Sequence, residues 1–185
     1  MHKVNLPKEE WAKSKPTAGG YYVRVLPKEY TDENGKVMVK SVEDKIDHEP
    51  KKADFSALEA RWLSGCKRWK KSEIEEHAKK PEVKVFAING VNGWLDSEAR
   101  VSIRRAVADK AAAGRESVTV YLSGVGFPMT PARAEEILAA VEVYASDCYD
   151  VTENHKAAVD ALTDAEAVEA YDYATGYPEP LQFQL

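Results

Sequence analysis

Eight positions, Ile137, Val141, Tyr144, Cys148, Val151, His155, Ala158 and Leu162, follow one another at steps of 4, 3, 4, 3, 4, 3 and 4. Only a helix brings such positions onto one face, so the stripe predicts about seven turns of α-helix. Thr130 and Pro131 open it as N-cap and first helical residue, and Glu135 and Glu136 suit the positive end of the helix dipole. The helix is either continuous or breaks near Asp150–Thr152 with the stripe kept in register. Thr163-Asp164-Ala165-Glu166 reads as a capping box, so a separate short helix starts there, buries Val168 and Tyr171, and ends at Gly176 and Pro178. The tail Leu181–Leu185 alternates and is suited to a short strand or a groove.

Upstream the pattern changes. Residues 1–19 are polar, with Pro7, Pro16 and Gly19-Gly20, and read as an arm that Trp11 tethers. Tyr21–Leu26 and Val37–Val42 alternate like strands around Asn34-Gly35, whose positive φ angles suit a tight reversal, so a β-hairpin is expected. Pro27 marks a strand end or an edge. Asp54 is the expected N-cap of a helix whose apolar stripe is Phe55, Leu58, Trp62, Cys66 and Trp69, running on through 72–80 until Pro81 stops it. Val83–Ile88 is the next strand. Asn89-Gly90 and Asn92-Gly93 then read as turn dipeptides on either side of Val91, with a very short strand ending at Trp94-Leu95. Asp96 caps a helix faced by Ala99, Ile103, Ala106 and Val107, which closes at Lys110 and Gly114. Val118–Leu122 is a strand, and the segment 123–129 reads as a loop.

Strands followed by a helical end predict an α+β fold rather than a parallel α/β sheet. The expected divisions are an N-terminal arm and β-hairpin module (1–50), a basic amphipathic linking helix (51–81), and an α+β domain (82–185). The last holds a small β-β-α-β sheet and two or three C-terminal helices. Charge is uneven within a net of -5: residues 51–84 are basic by four charges and 130–185 are acidic by ten. No apolar run approaches the ~20 residues of a membrane span, and the N-terminus has no apolar signal region, which points to the cytoplasm or to a particle assembled there. Cys66 and Cys148 are read as reduced, and the chain has no CxxC pair.

Several groups could carry chemistry. Cys148 and His155 share a helix face, but structural zinc wants four N/S ligands and two are in sight, so no metal and no cofactor are expected. As a nucleophile and base, two groups two helical turns apart stand roughly 10 Å from each other along the axis. Walker, GxGxxG, HExxH and GxSxG motifs do not occur. A metal-dependent hydrolase built on Asp147, Asp150 and His155 is the enzymatic alternative. A nucleic-acid module acting through Arg61, Lys67, Arg68, Lys70 and Lys71, with Trp62 and Trp69 for stacking, is another. Tyrosines combine apolar area with a polar tip and are frequent at interfaces. The expected protein-binding residues are therefore Tyr149, Asp150, Asn154, His155, Tyr171, Asp172, Tyr173 and Tyr177.

The segments VNGWLDSEAR, TVYLSG, LAAVEVYASDCYDVTENHKAAVDAL and EAYDYATGYPEPLQF together resemble domain-of-unknown-function family 4376 of bacteriophage and prophage genomes. The likeness runs from Val83 to Phe183, and its most specific pieces are EVYASDCYDVTENH and YDYATGYP. In such genomes the domain accompanies tail-fibre and tail-end genes. The resemblance thus implies a non-enzymatic structural or assembly role, with other tail or fibre proteins as partners, in the bacterial host cytoplasm or the virion. It implies no catalytic residues. Self-association is left open, nucleic acid is disfavoured, and no membrane is expected.

Overall fold

The N-terminal residues form strands. In the computed structural model, which describes residues 1–185, β1 (His2–Pro7), β2 (Ser14–Thr17), β3 (Gly20–Thr31) and β4 (Val37–Ile46) make one antiparallel sheet in the order β1-β4-β3-β2. The expected hairpin is its centre. The expected arm supplies both edge strands, because Val4 and Leu6 alternate with Lys3 and Asn5 and pair with β4. The reversal after β3 places only Gly35 in the left-handed region (φ 77°), and the Asp32 carboxylate organises it by accepting from the backbone N–H of Asn34 and Lys36. Pro27 sits where the β3–β4 register shifts between Val25 and Lys28, beside Leu26 at φ 54°. A bulge tolerates the missing N–H there, and β2 does not pair with that part of β3.

Helix α1 (Lys52–His77) covers one face of this sheet. It starts before Asp54, which instead sits in the first turn and accepts from the Lys51 N–H at 2.7 Å. Leu58 packs with Val23, Val25 and Val42, flanked by Ile46, Phe55 and Trp62. Trp69 is 71% exposed, so the expected stripe does not stay buried to its end. Its 3.5-residue mean step drifts around a 3.6-residue helix, and the side chains buried at the C-terminal end of α1 and just after it are Ile74 and Ala78.

The C-terminal half holds β5 (Phe86–Ile88), β6 (Val91–Gly93), α2 (Ser97–Ala112), β7 (Val118–Leu122), β8 (Val125–Met129), α3 (Pro131–Ala161), α4 (Ala165–Ala170) and β9 (Leu181–Phe183). Asn89 (φ 48°) and Gly90 (φ 80°) form the β5–β6 turn, the left-handed pair that a two-residue hairpin favours. Asn92-Gly93 is not a turn but part of β6. Gly93 is needed because a Cβ there would stand 2.6 Å from Ser123 Oγ. The segment read as a loop is β8. Phe127 and Met129 point into the core, Pro128 points out, and Ser123-Gly124 repeats the left-handed turn. β9 pairs parallel with β5. The core gathers Phe86, Ile88, Leu122, Phe127, Ile137 and Val141 between these strands and α2 and α3. Ala106 lies outside it and is exposed, whereas Arg100 is buried.

α3 is continuous. Its buried positions are Ala134, Ile137, Leu138, Val141, Tyr144, Cys148, Thr152 and Val159. Beyond Cys148 the buried line thus moves from the expected Val151, Ala158 and Leu162 to positions one residue on or three before, again because a 3.5-residue stripe drifts about 20° per heptad on a straight helix. Asp164, not Thr163, caps α4 by accepting from the Ala167 N–H at 2.8 Å. Tyr171 lies beyond the end of α4. The chain divides into two compact units, residues 1–70 with 162–170 and residues 71–161 with 171–185. No helix is long and apolar enough to cross a membrane.

Candidate functional site

The second unit carries a groove of about 580 Å³ along α3. Glu142, Ala145, Ser146, Tyr149, Glu153 and Lys156 form one wall, each three or four residues from another of the set, so one face of α3 runs the length of the hollow. Small side chains at 145 and 146 leave the space. Trp94 and Cys148 floor it, and Ala78, Lys79 and Lys84 stand on the other wall.

Arg100 anchors one end. It lies on the same face of α2 as Ile103 and Val107, where an apolar residue would be expected, and it is therefore paired several ways. Its Nε donates to Glu142 at 2.6 Å, Nη1 donates to the Leu95 carbonyl at 2.8 Å, and the guanidinium lies 5.6 Å from the Trp94 ring centre. The Arg100 hydrogen bond holds the Glu142 carboxyl below the usual carboxylate range, against a smaller opposing effect of burial. At the other end Lys156 joins Glu153 and Glu75 at 2.9 and 3.1 Å, and those hydrogen bonds raise its pKa.

The floor is held from beneath. Tyr144 donates its hydroxyl to the Val83 carbonyl at 2.7 Å, and the Cys148 thiol reaches the same oxygen at 3.7 Å. Burial, reinforced by the neighbouring Cys148, pushes the Tyr144 pKa up to about 12. Burial also raises that of Cys148, so the thiol is held protonated, as a small core group.

Beyond the groove, residues 171–178 close over α3. The Thr175 carbonyl can only accept, so His155 Nε2 carries the hydrogen of their 2.9 Å contact. In the neutral ring Nδ1 then accepts from the Tyr171 hydroxyl at 2.8 Å. Thr152 donates to the Cys148 carbonyl at 2.8 Å, which makes Tyr177 the donor in its 3.1 Å contact with Thr152. His77 packs against Tyr173 and Tyr177, with ring centres 5.5 and 5.4 Å apart.

The eight residues expected to bind protein thus fall into two sets. Tyr149, Asp150 and Asn154 are exposed on α3, with Tyr149 63% exposed at the groove's lip. His155, Tyr171, Tyr173 and Tyr177 are half-buried in the clasp, and Asp172 is exposed there, accepting from the Ala174 N–H. Asp147 and Asp150 face solvent, while both ring nitrogens of His155 are engaged. No three His, Cys, Asp or Glu side chains gather as a metal site. Of the basic residues on α1, Arg61 pairs with Asp44 at 3.0 Å and Lys71 with Asp160 at 2.9 Å. Lys67 and Lys70 have partners as well, and Arg68 is exposed.

Trp94, Arg100 and Glu142 were absent from the expected site. A signal existed for one of them: Arg100 falls three and seven residues before Ile103 and Val107, so it shares their buried face and demands a carboxylate. Residues 66–175 match the family described as Domain of unknown function (DUF4376). No curated protein and no solved structure matches the chain.

Proposed function

The chain belongs to the DUF4376 family, and from that premise we propose that it is a non-enzymatic phage or prophage protein that binds other proteins in building a tail or tail fibre. The observation that carries the reading is Tyr149. It is a large aromatic side chain, 63% exposed, that lines the apolar-floored groove and is followed in sequence by the exposed carboxylate of Asp150. Such a residue buries much area at small entropic cost when a partner covers it, and aromatic anchors beside pockets dominate interface energies. The clasp supports the same reading by fixing the neighbouring helix face: a surface that is already ordered loses less entropy on binding.

On this reading the partners are tail or fibre proteins, met in the bacterial host cytoplasm during assembly or retained in the virion. The test is affinity isolation of the tagged chain from cells with the prophage induced. Wild-type protein is expected to co-isolate a tail or fibre component, and Tyr149→Ala with Asp150→Arg to lose it while the circular dichroism spectrum is unchanged. A wild-type protein that brings down no tail component sinks the proposal.

A further inference from the structure

Within the first unit, one part of the chain matches another in charge. Residues 1–70 hold fifteen Lys and Arg against eleven Asp and Glu, whereas residues 162–170 hold three acids and no base. The match is local. Lys28 and Lys40 stand directly opposite each other on β3 and β4, and like charges so placed repel. Lys3, opposite Val42 on β1, shares that face. α4 answers both ends of it: Glu166 lies 2.7 Å from Lys28 Nζ, and Glu169 lies 2.6 Å from Lys3 Nζ. Beside α4 the same face remains open as a hollow of about 690 Å³, bordered by Asn5, Tyr30, Lys28 and Lys40.

α4 occupies part of this face. Its six residues are too few to be helical alone. Asp164 caps it, Val168 and Ala165 are buried, and its two ion pairs to the sheet are exposed, a class that contributes little and weakens with salt. The geometry points to the outer half of this sheet face as a docking site for an acidic helical segment of a partner protein, with α4 holding the site in cis until the partner displaces it. The segment that fits carries two carboxylates three residues apart with a buried apolar residue between, as Glu166-Ala167-Val168-Glu169 does. All of these residues belong to the first unit, whereas Tyr149 belongs to the second.

The test uses the full chain and a fluorescein-labelled peptide of residues 160–172 as the probe. A tethered segment competes at an effective concentration on the order of millimolar. Glu166→Gln with Glu169→Gln is therefore expected to bind the peptide at least ~10-fold more tightly than wild type, with the gain shrinking as salt rises. Adding Lys28→Glu and Lys40→Glu abolishes the gain. Thermal midpoints establish that each variant is folded. Should the double glutamine variant not fold, Glu166→Gln alone is expected to show a smaller gain in the same direction. Equal binding by folded variant and wild type overturns the inference. So does equal binding of a peptide whose glutamates are replaced by glutamine. Binding of a labelled poly-dT strand in place of the peptide overturns it as well.

Discussion

Arg24 of the first unit and Arg100 of the second have side chains 5% and 9% exposed, but their carboxylate partners differ: Glu43 is 9% exposed and Glu142 is 49% exposed. Arg24 Nε donates to Glu43 at 2.7 Å and its Nη1 to the Ala12 carbonyl, on the sheet face opposite α1. Both charges of that pair have left water, so each depends on the other. Arg100 spans an apolar interior and an open groove, and its outer partner is half exposed. The depth of the carboxylate, not of the arginine, decides what the pair contributes. No buried side-chain nitrogen or oxygen in either unit lacks a partner, so each unit satisfies its polar groups by a different route.

The largest expected effect breaks the deep pair. Glu43→Ala strands a buried guanidinium and is expected to destabilise the protein by about 3–5 kcal/mol in urea unfolding. Arg24→Met with Glu43→Leu, which removes both charges, is expected to recover most of that loss. A single-variant loss under about 1 kcal/mol would erase the contrast between the units. Tyr144 gives the next effect. Its folded pKa, about 12, lies above the ordinary value of 10.0, so the folded state holds the phenol proton more tightly. The resulting stabilisation, about 2–3 kcal/mol, is fully present below pH 10 and disappears as pH rises toward 12. Thermal midpoints should fall across that window in wild type, and Tyr144→Phe should flatten the fall.

Glu142→Gln is expected to cost at most about 1 kcal/mol, because one partner is exposed. Its carboxyl titrates below the usual range when folded, so its contribution is present above the ordinary carboxylate pKa and is lost as pH falls through the folded value. The acid limb of the stability profile should therefore shift in Glu142→Gln. The smallest effect belongs to Arg104→Ala. Its 2.6 Å pair with Glu135 is exposed on both sides, and a change within about 0.5 kcal/mol is expected. A loss at Arg104 equal to that at Glu142 would show that exposure does not govern these pairs.

Much of the fold was legible where a few neighbouring residues decide it. Thr130 accepts from the Arg133 N–H and Asp96 from the Ala99 N–H, as their positions before apolar helical runs imply. Gly114, at φ 72°, follows the end of α2. The cap expected at Thr163 lies one residue early, because Asp164 beside it serves equally well, and the cap expected at Asp54 falls inside the first turn of α1. β8 was hidden by Gly126 and Pro128. Proline is tolerated because β8 pairs only with β7 and is thus an edge strand that can spare one N–H, and the Tyr121 ring lies over Gly126 in place of a side chain. Of the candidate site, the exposed trio on α3 was visible in the sequence, but the groove beside it was not. Trp94 and Arg100 reach α3 from residues more than forty positions away.

The sequence by itself determined the helices, the starts of α2 and α3 and the left-handed turn at Asn89-Gly90, because each depends on side chains within about four residues of the backbone they cap or bend. It also marked the stretch from Thr130 to Leu162 as helical but left open a break near Asp150–Thr152; the helix, Pro131–Ala161, is unbroken. Only the tertiary structure decided that β9 returns to lie parallel to β5, that β1 and β2 flank the central hairpin, and that α4 joins the first unit although the chain on both sides of it belongs to the second. These are choices among partners distant in sequence. Their energies come from burial and charge pairing that exist only after the chain has closed on itself. The α3 stripe shows both contributions. Its spacing required a helix, but the way a 3.6-residue turn carries that stripe around the axis decided that Thr152 and Val159 are the residues buried.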